Sequence, residues 1–303
     1  MARFQRLDAE LVRRGLARSR EQATELIRAG RVHVRGVQAS KPATAVDAQT
    51  PLKVLEDTTD PGFASRGAHK LSGALSAFDI KVEGRRCLDA GASTGGFTDV
   101  LLRAGASSVA AVDVGYGQLD WRLRTDARVT VFDRTNVRNL QPDLIGGRVS
   151  LTVADLSFIS LGLVLPALAE CTDHDGDLVP MVKPQFEVGR ERLGRGGVVR
   201  DPELRAESVA AVADRARQLG WVTAGVAQSE LPGPSGNIEY FLWLRYGASY
   251  EAQPLEHAGV VEAVLSAESS SSAGHAVENQ NLIPSTGHNG VSDEAISSEP
   301  TGE

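Results

Sequence analysis

Cysteine is nearly absent from this chain of 303 residues, which carries only Cys87 and Cys171. That excludes a disulfide framework as the source of stability and fits a reducing cytoplasm; Cys87, inside an apolar run, reads as a small core residue. There is no apolar run of about 18 residues, the length a spanning helix requires. The opening MARFQRLDAE has no apolar stretch of the secretory-signal kind. Lys and Arg are missing from Gly247 onward, where nine acidic residues stand. The formal charge of -7 therefore misleads as a whole-chain figure, because Met1 to Lys70 carries thirteen Lys/Arg against eight Asp/Glu. The acidity belongs to the tail and the basic character to the front.

What is present falls into four parts. Residues 250–303, with SAESSSSAGH among them, are poor in core-forming side chains and are expected to be a disordered acidic tail. In the front part, Leu7, Leu11 and Val12 recur at helical spacing. Ser19 is expected to cap a second helix with Gln22 as its capping-box partner; Ala23, Leu26 and Ile27 form its stripe, and Gly30 ends it. Val32, Val34 and Val37 around Arg35-Gly36 predict a hairpin, completed by residues 52–55. Residues 1–56 thus read as a small α+β domain. Residues 57–65, around Asp60-Pro61-Gly62, read as a linker.

From residue 66 a helix carries Lys70, Leu71, Ala74, Leu75 and Phe78. Strands are then predicted at 86–89, 108–113, 129–132, 150–155, 177–183, 221–228 and 238–246, with helices between most of them, the clearest at 202–219. That alternation predicts an α/β fold over residues 66–249, Rossmann-like, with a mostly parallel seven-stranded sheet.

Between the first strand and its helix lies DAGASTGGF, residues 89–97. A nicotinamide dinucleotide fingerprint needs G-x-G-x-x-G, but position 93 is Ser93, and the glycines fall at Gly91, Gly95 and Gly96. Asp89 stands just ahead of them, where it would repel a phosphate. The turn suits a ligand without phosphates that offers an ammonium or a ribose, such as S-adenosylmethionine. Asp113 ends the next strand, where it can accept from two ribose hydroxyls, and Asp133 after the third strand could meet an adenine amino group. With Ser93, Thr94 and Phe97 these complete the expected cofactor set; no metal site is expected.

Two later strand ends deliver Asp155 and Lys183, and Glu239 lies in GNIEYFLWLRY, the last strand. If that strand runs antiparallel, its start lies beside the carboxyl ends of the others, in the same crevice. Each residue alone has an ordinary explanation: a solvated helix lysine for Lys70, a helix cap for Asp155, a strand-end lysine for Lys183, an edge-strand charge for Glu239. Together, Lys70, Asp155, Lys183 and Glu239 resemble the Lys-Asp-Lys-Glu tetrad of FtsJ-type RNA ribose 2′-O-methyltransferases, and DAGASTGGF is similar to that family's cofactor loop. RLDAELVRRGLARSREQATELIRAG resembles the RNA-binding domain of small-subunit ribosomal protein S-four. SRGAHKL, ADLSFISL, VKPQFE, GRGGVVRD and GPSGNIE resemble the TlyA family, often labelled hemolysin A, over about residues 3 to 246.

The resemblance implies a class I methyltransferase domain that uses S-adenosyl-L-methionine to methylate cytidine ribose 2′-hydroxyls in ribosomal RNA. Longer members of the family, with a basic arm like ARFQR here, act on RNA of both the small and large subunits. Lys183 is the candidate base or alkoxide stabiliser, with the carboxylates orienting the amines; which lysine takes the proton stays open. For RNA binding the front domain offers Arg3, Arg6, Arg18, Arg20 and Lys41, within a basic cluster that also holds Arg13, Arg14, Arg28, Arg31 and Arg35. Arg66, Arg134 and Arg138 would continue the track, and Phe158 could stack on a base flipped from its helix or lie in the core. The expected partner is ribosomal RNA, with no membrane and no obligate protein partner.

The competing readings make different demands. A membrane-lytic toxin needs an amphipathic or spanning segment, and none is found. A ribosome-binding module without methyl transfer predicts loss of the tetrad or the glycines, and both are intact. A pseudouridine synthase, which often carries the same kind of front domain, has no need of the Asp89 glycine loop.

Overall fold

The computed structural model describes residues 4–17, 20–55, 62–233 and 235–280. The front unit runs β1 (Gln5–Arg6), α1 (Leu7–Arg13), α2 (Arg20–Arg28), β2 (Val32–Val34), β3 (Val37–Gln38), β4 (Ala45–Val46) and β5 (Leu52–Val54). Leu7, Leu11, Ala23, Ile27, Val32 and Val46 form its core, so the helical spacing of the first four is what buries them together. Strand β2 pairs antiparallel with β3 and β5. Arg35 and Gly36 both have positive φ, 52° and 82°, the backbone of a type I′ hairpin turn. Arg3, Arg18, the Ser19 cap and linker residues 56–61 lie outside the described residues.

The linker's far end is anchored. Ala64 donates its backbone N–H to Asp99 (2.8 Å), and Arg103 lies over the Phe63 ring. Then follow α3 (Gly67–Ala77), β6 (Arg86–Ala90), α4 (Gly96–Arg103), β7 (Ser108–Val112), α5 (Trp121–Arg124), β8 (Val129–Phe132), β9 (Val149–Ala154), α6 (Leu165–Cys171), β10 (Thr172–Val182), α7 (Pro184–Glu187), α8 (Pro202–Gln218), β11 (Trp221–Gln228), β12 (Tyr240–Tyr246) and α9 (His257–Gln280).

Strands β6 to β12 form one seven-stranded sheet in the order β11-β12-β10-β9-β6-β7-β8. Strand β12 alone runs against the direction of the other six. Both faces are covered, which is why these strands read as near-continuous apolar runs. Leu88 and Ala90 of β6 enter one core while Cys87 enters the other, as the two-residue period of a strand requires. Burial pushes the thiols of Cys87 and Cys171 up to about 12 and about 11. The chain reverses its strand order between β6 and β9, and ligands of such sheets bind in the crevice outside the carboxyl ends of the strands at that point.

One expectation needs correction. Disorder was expected throughout 250–303, yet His257–Gln280 is helix α9. Val260 and Val264 are fully buried in the core that α8 and β11 share with it. Two well-placed valines and tertiary partners overcome a composition that looks too polar to fold. Residues 281–303 lie outside the described residues. Among the described residues no helix is long and apolar enough to cross a membrane.

Candidate active site

The crevice is built from the loop after β6. Gly91 has φ +91°, and a Cβ there would lie 2.5 Å from the Asp155 carbonyl oxygen, so the loop can pass beneath the end of β9 only without a side chain. Gly96 opens α4 and faces α3: a Cβ there would stand 2.9 Å from the Ala68 backbone nitrogen. That glycine answers to helix packing rather than to a ligand. Phe97 is likewise a core residue, 3% exposed and tilted against Phe241. The loop residues left at the surface are Ser93, which has φ 47°, and Thr94.

Three acids surround this loop. Asp89 is fully buried within β6, one residue short of the strand end where it was expected to face the crevice. Its Oδ2 accepts from Thr98 Oγ1 at 2.6 Å, while its Oδ1 has no hydrogen-bond partner. Burial, with the neighbouring carboxylates of Asp155 and Asp113 adding to it, pushes Asp89 up to about 7. Asp113 closes the next strand, its oxygens accepting from the backbone N–H groups of Ser93 (2.9 Å) and Gly115 (2.6 Å). Those bonds fix the carboxylate and leave each oxygen a further lone pair. Asp133 is held by Arg124 and by the Gly117 N–H, so its reach toward a ligand is shared with a cation. An orphaned buried carboxylate oxygen amid like charge is poor company for a phosphate and fits a ligand carrying positive charge and a diol.

The four tetrad candidates gather at the same edge. Lys70, on the buried face of α3, meets Glu239 at 2.5 Å, the two side chains 9% and 1% exposed. Lys183 meets Asp155 at 2.6 Å and donates to Ser157 Oγ at 2.9 Å. The pairs are neighbours through the sheet. Val182 of β10 is registered with Tyr240 of β12, and Lys183 and Glu239 each stand one residue beyond. Asp155 follows β9 beside β10, and its backbone N–H bonds Ala90 at the mouth of the glycine loop. The antiparallel course of β12 is what brings the beginning of that strand to the end of the others.

Several residues here were not singled out as site residues from the sequence. Ser157 and Glu187 lie within ADLSFISL and VKPQFE. Asn237, in GPSGNIE, accepts from Val199 N–H and donates to the Gly197 carbonyl, stapling the GRGGVVRD loop beside Glu239. Gly233 approaches Glu239 so closely that a Cβ would lie 2.5 Å from its Oε1. These segments carry recognisable motifs, but which of their side chains meet is set by the fold.

The basic residues divide. Arg6 and Arg20 converge on the buried Asp8, and Arg13 and Arg14 on the buried Glu10. Arg14 also donates to the Asp47 and Thr50 carbonyls, so its guanidinium holds the front domain together. Arg66 pairs with Glu25 (3.1 Å), joining α2 to the start of the second domain. Lys41, Arg134 and Arg138 are exposed, and Arg134 lies over the Tyr116 ring at 4.3 Å. Phe158 is 90% exposed, which removes the core alternative for it.

Residues 63–246 match the family of FtsJ-like methyltransferases, and residues 5–50 match the S4 domain. The chain is 66% identical over 245 residues to the 16S/23S rRNA (cytidine-2'-O)-methyltransferase TlyA of Mycobacterium tuberculosis, covering 81% of this chain and 91% of that one. The chain belongs to the TlyA family of FtsJ-like methyltransferases. It is 32% identical to the 23S rRNA (cytidine-2'-O)-methyltransferase TlyA of Campylobacter jejuni, over 60% of this chain and 70% of that relative. A solved structure from Streptococcus thermophilus that bears a hemolysin name superposes with a TM-score of 0.71 at 38% identity, covering 91% of this chain and all of that one.

Proposed function

We propose that this chain transfers a methyl group from S-adenosylmethionine to ribose 2′-hydroxyls of cytidines in ribosomal RNA, in both the small and the large subunit, in the cytoplasm. The observation that carries the reading is the meeting of two lysine–carboxylate pairs beside a glycine loop ringed by acids. The dual substrate rests on the M. tuberculosis relative, whose name covers both rRNAs and which shares 66% identity.

S-adenosylmethionine supplies an electrophilic methyl group when bound. Asp113, fixed by the Ser93 amide, would hold the ribose hydroxyls of that ligand, with Thr94 along the loop, while Asp89 and Asp155 supply negative charge opposite its positive charge. The substrate 2′-hydroxyl must lose its proton as the methyl arrives. Lys183 Nζ, beside Asp155 and Ser157, would take that proton as the neutral amine or, as the ammonium, hold the charge growing on the oxygen. Lys70, tied to Glu239, adds a second cation that favours the oxyanion. Glu239 and Asp155 fix where the two ammonium groups stand, which matters because in-line transfer gains most from positioning, up to about 7–11 kcal/mol in model reactions.

The front domain would dock the subunit by its backbone through Arg3, Arg6, Arg18, Arg20 and Lys41, and Arg66, Arg134 and Arg138 would lead the RNA to the site. Phe158, exposed and held at φ 63°, would stack on the flipped nucleotide. The test is incubation with S-adenosylmethionine labelled in its methyl group and each unmodified subunit separately. Label in both rRNAs, at the 2′-oxygen of cytidine, is the expected result; label in neither sinks the reading, and label in one alone sinks the dual activity.

A further inference from the structure

Two segments at the carboxyl edge of the sheet, 155–161 after β9 and 183–187 after β10, are joined along their whole length. Lys183 holds Asp155 and Ser157 at one end. Phe158 and Phe186 tilt together in the middle, ring centroids 5.3 Å apart. At the other end Glu187 Oε2 accepts from Ser160 Oγ at 2.6 Å and Glu187 Oε1 accepts from the Leu161 N–H at 2.8 Å. Ser160 in turn accepts from the Gly162 N–H, closing the turn that follows.

Between these clamps stands Phe158, with φ 63° and 90% of its surface in water. A bulky residue in the left-handed region is strained, and an exposed ring gains nothing from burial to offset that. The conformation must be imposed from outside the residue. Lys183 fixes the side before it and Glu187 the side after it. Glu187 is itself an odd choice for a structural link: burial pushes its carboxyl above the usual range, and among the described residues it has no ion-pair partner. A costly carboxylate spent on one hydroxyl and one amide is explained if that loop geometry is what is needed.

We propose that Glu187 is a positioning residue for RNA engagement: by gripping Ser160 and the Leu161 amide it holds Phe158 outward beside Lys183, ready to meet the extruded nucleotide. The proposal rests on the reading that Phe158 meets RNA. Glu187 touches no substrate in this arrangement and acts wholly through the loop.

The experiment uses the full chain with p-fluorophenylalanine placed at position 158, read by 19F NMR without RNA, alongside methyl transfer to ribosomal subunits. Glu187→Leu removes both acceptors; Glu187→Gln keeps a carbonyl for the Leu161 amide and is the conservative rescue. In Glu187→Leu the fluorine signal should move toward the position of an unstructured peptide. The KM for the subunit should rise about tenfold or more, with the Kd for S-adenosylmethionine unchanged within twofold. Glu187→Gln should restore most of both. An unshifted fluorine signal in Glu187→Leu, or a shifted one with unchanged KM, overturns the proposal. Should Glu187→Leu fail to fold, Ser160→Ala removes one of the two hydrogen bonds and is held to the same readings at smaller size. Phe158→Ala tests the parent reading separately: if its KM is that of the wild type, the base contact fails whatever the loop does.

Discussion

Lys183 and Glu239 stand across from one another at the ends of β10 and β12, each one residue beyond the registered pair Val182 and Tyr240, yet each is bonded to a different partner. Lys183 takes Asp155 and Ser157; Glu239 takes Lys70. The site is therefore two separately held cations rather than one pooled charge cluster. A change to one pair should leave the other in place, so their roles can be separated by mutation.

Lys183→Ala removes the more exposed of the two amine partnerships, where Asp155 is 27% exposed. Because Asp155 can rehydrate, the fold should survive. Methyl transfer should fall by at least about a hundredfold, the usual scale for a positioned proton-transfer group, far more than binding to the ribosomal subunit, which loses only what the loosened Phe158 loop costs. Filter binding and label incorporation measured on the same preparation decide it; normal incorporation would remove Lys183 from the reaction.

Lys70 and Glu239 behave differently because both are buried. Glu239→Leu strands an ammonium in the core, and breaking a buried pair typically costs about 3–5 kcal/mol. The double variant Lys70→Met with Glu239→Leu removes the stranded charge and should recover most of that stability without recovering methyl transfer. Urea unfolding followed by tryptophan fluorescence reads this, since Trp221 and Trp243 sit in β11 and β12. A single Glu239→Leu variant as stable as wild type would contradict the buried pairing.

Much of this arrangement was legible beforehand because the alternation of apolar runs with polar strand ends survives in a doubly wound sheet. Asp155 and Lys183 stand at such ends. Strand β10 starts at Thr172 rather than 177 because TDHDG carries no apolar side chain and shifts register before Asp177, leaving no apolar signature. Asp89 read as a strand-end acid, and its full burial one residue inside β6 is not visible in the sequence pattern. The pairing of Arg124 with Asp133, and of Arg6 and Arg20 with Asp8, is invisible in one dimension, since charge counts do not say which cations are already engaged. Helix α9 was illegible for a related reason: its stability comes from α8 and β11, not from its own composition.

Asp89 should make stability and ligand affinity depend on pH near neutrality. Its folded value of about 7 lies above the unfolded value of about 3.9. The native state therefore holds a proton that the unfolded chain lacks between those values, and stability falls as pH rises through that window. Asp89→Asn keeps the shape and abolishes the titration. Its melting temperature relative to wild type should rise from pH 5 to pH 8, by several degrees. A cationic ligand prefers the charged carboxylate, so wild-type affinity for S-adenosylmethionine should weaken from pH 8 to pH 6 more than that of Asp89→Asn. Calorimetry at the two pH values tests this, and parallel pH profiles for the two proteins would rule Asp89 out as the cause.

Helix α9 is tied to α8 and β12 through one carboxylate. Glu268 accepts from Arg205 Nε at 2.7 Å and from the Tyr240 hydroxyl, and Tyr240 adjoins Glu239. Arg205 is 6% exposed and also donates to the Val199 carbonyl, whose own N–H bonds Asn237. Glu268→Leu would leave the guanidinium buried with one neutral acceptor, so the expected loss is again roughly 3–5 kcal/mol. Arg205→Met combined with Glu268→Leu should recover much of it, since replacing a buried pair with apolar groups of similar volume is often neutral or better. Ending the chain at residue 256 removes Val260 and Val264 as well, and should cost more than Glu268→Leu alone. If the shortened chain matched wild type in urea midpoint, α9 would be an appendage to the domain. If instead it unfolded earlier but bound S-adenosylmethionine normally at low urea, the helix would serve the stability of β12 and not the shape of the glycine loop.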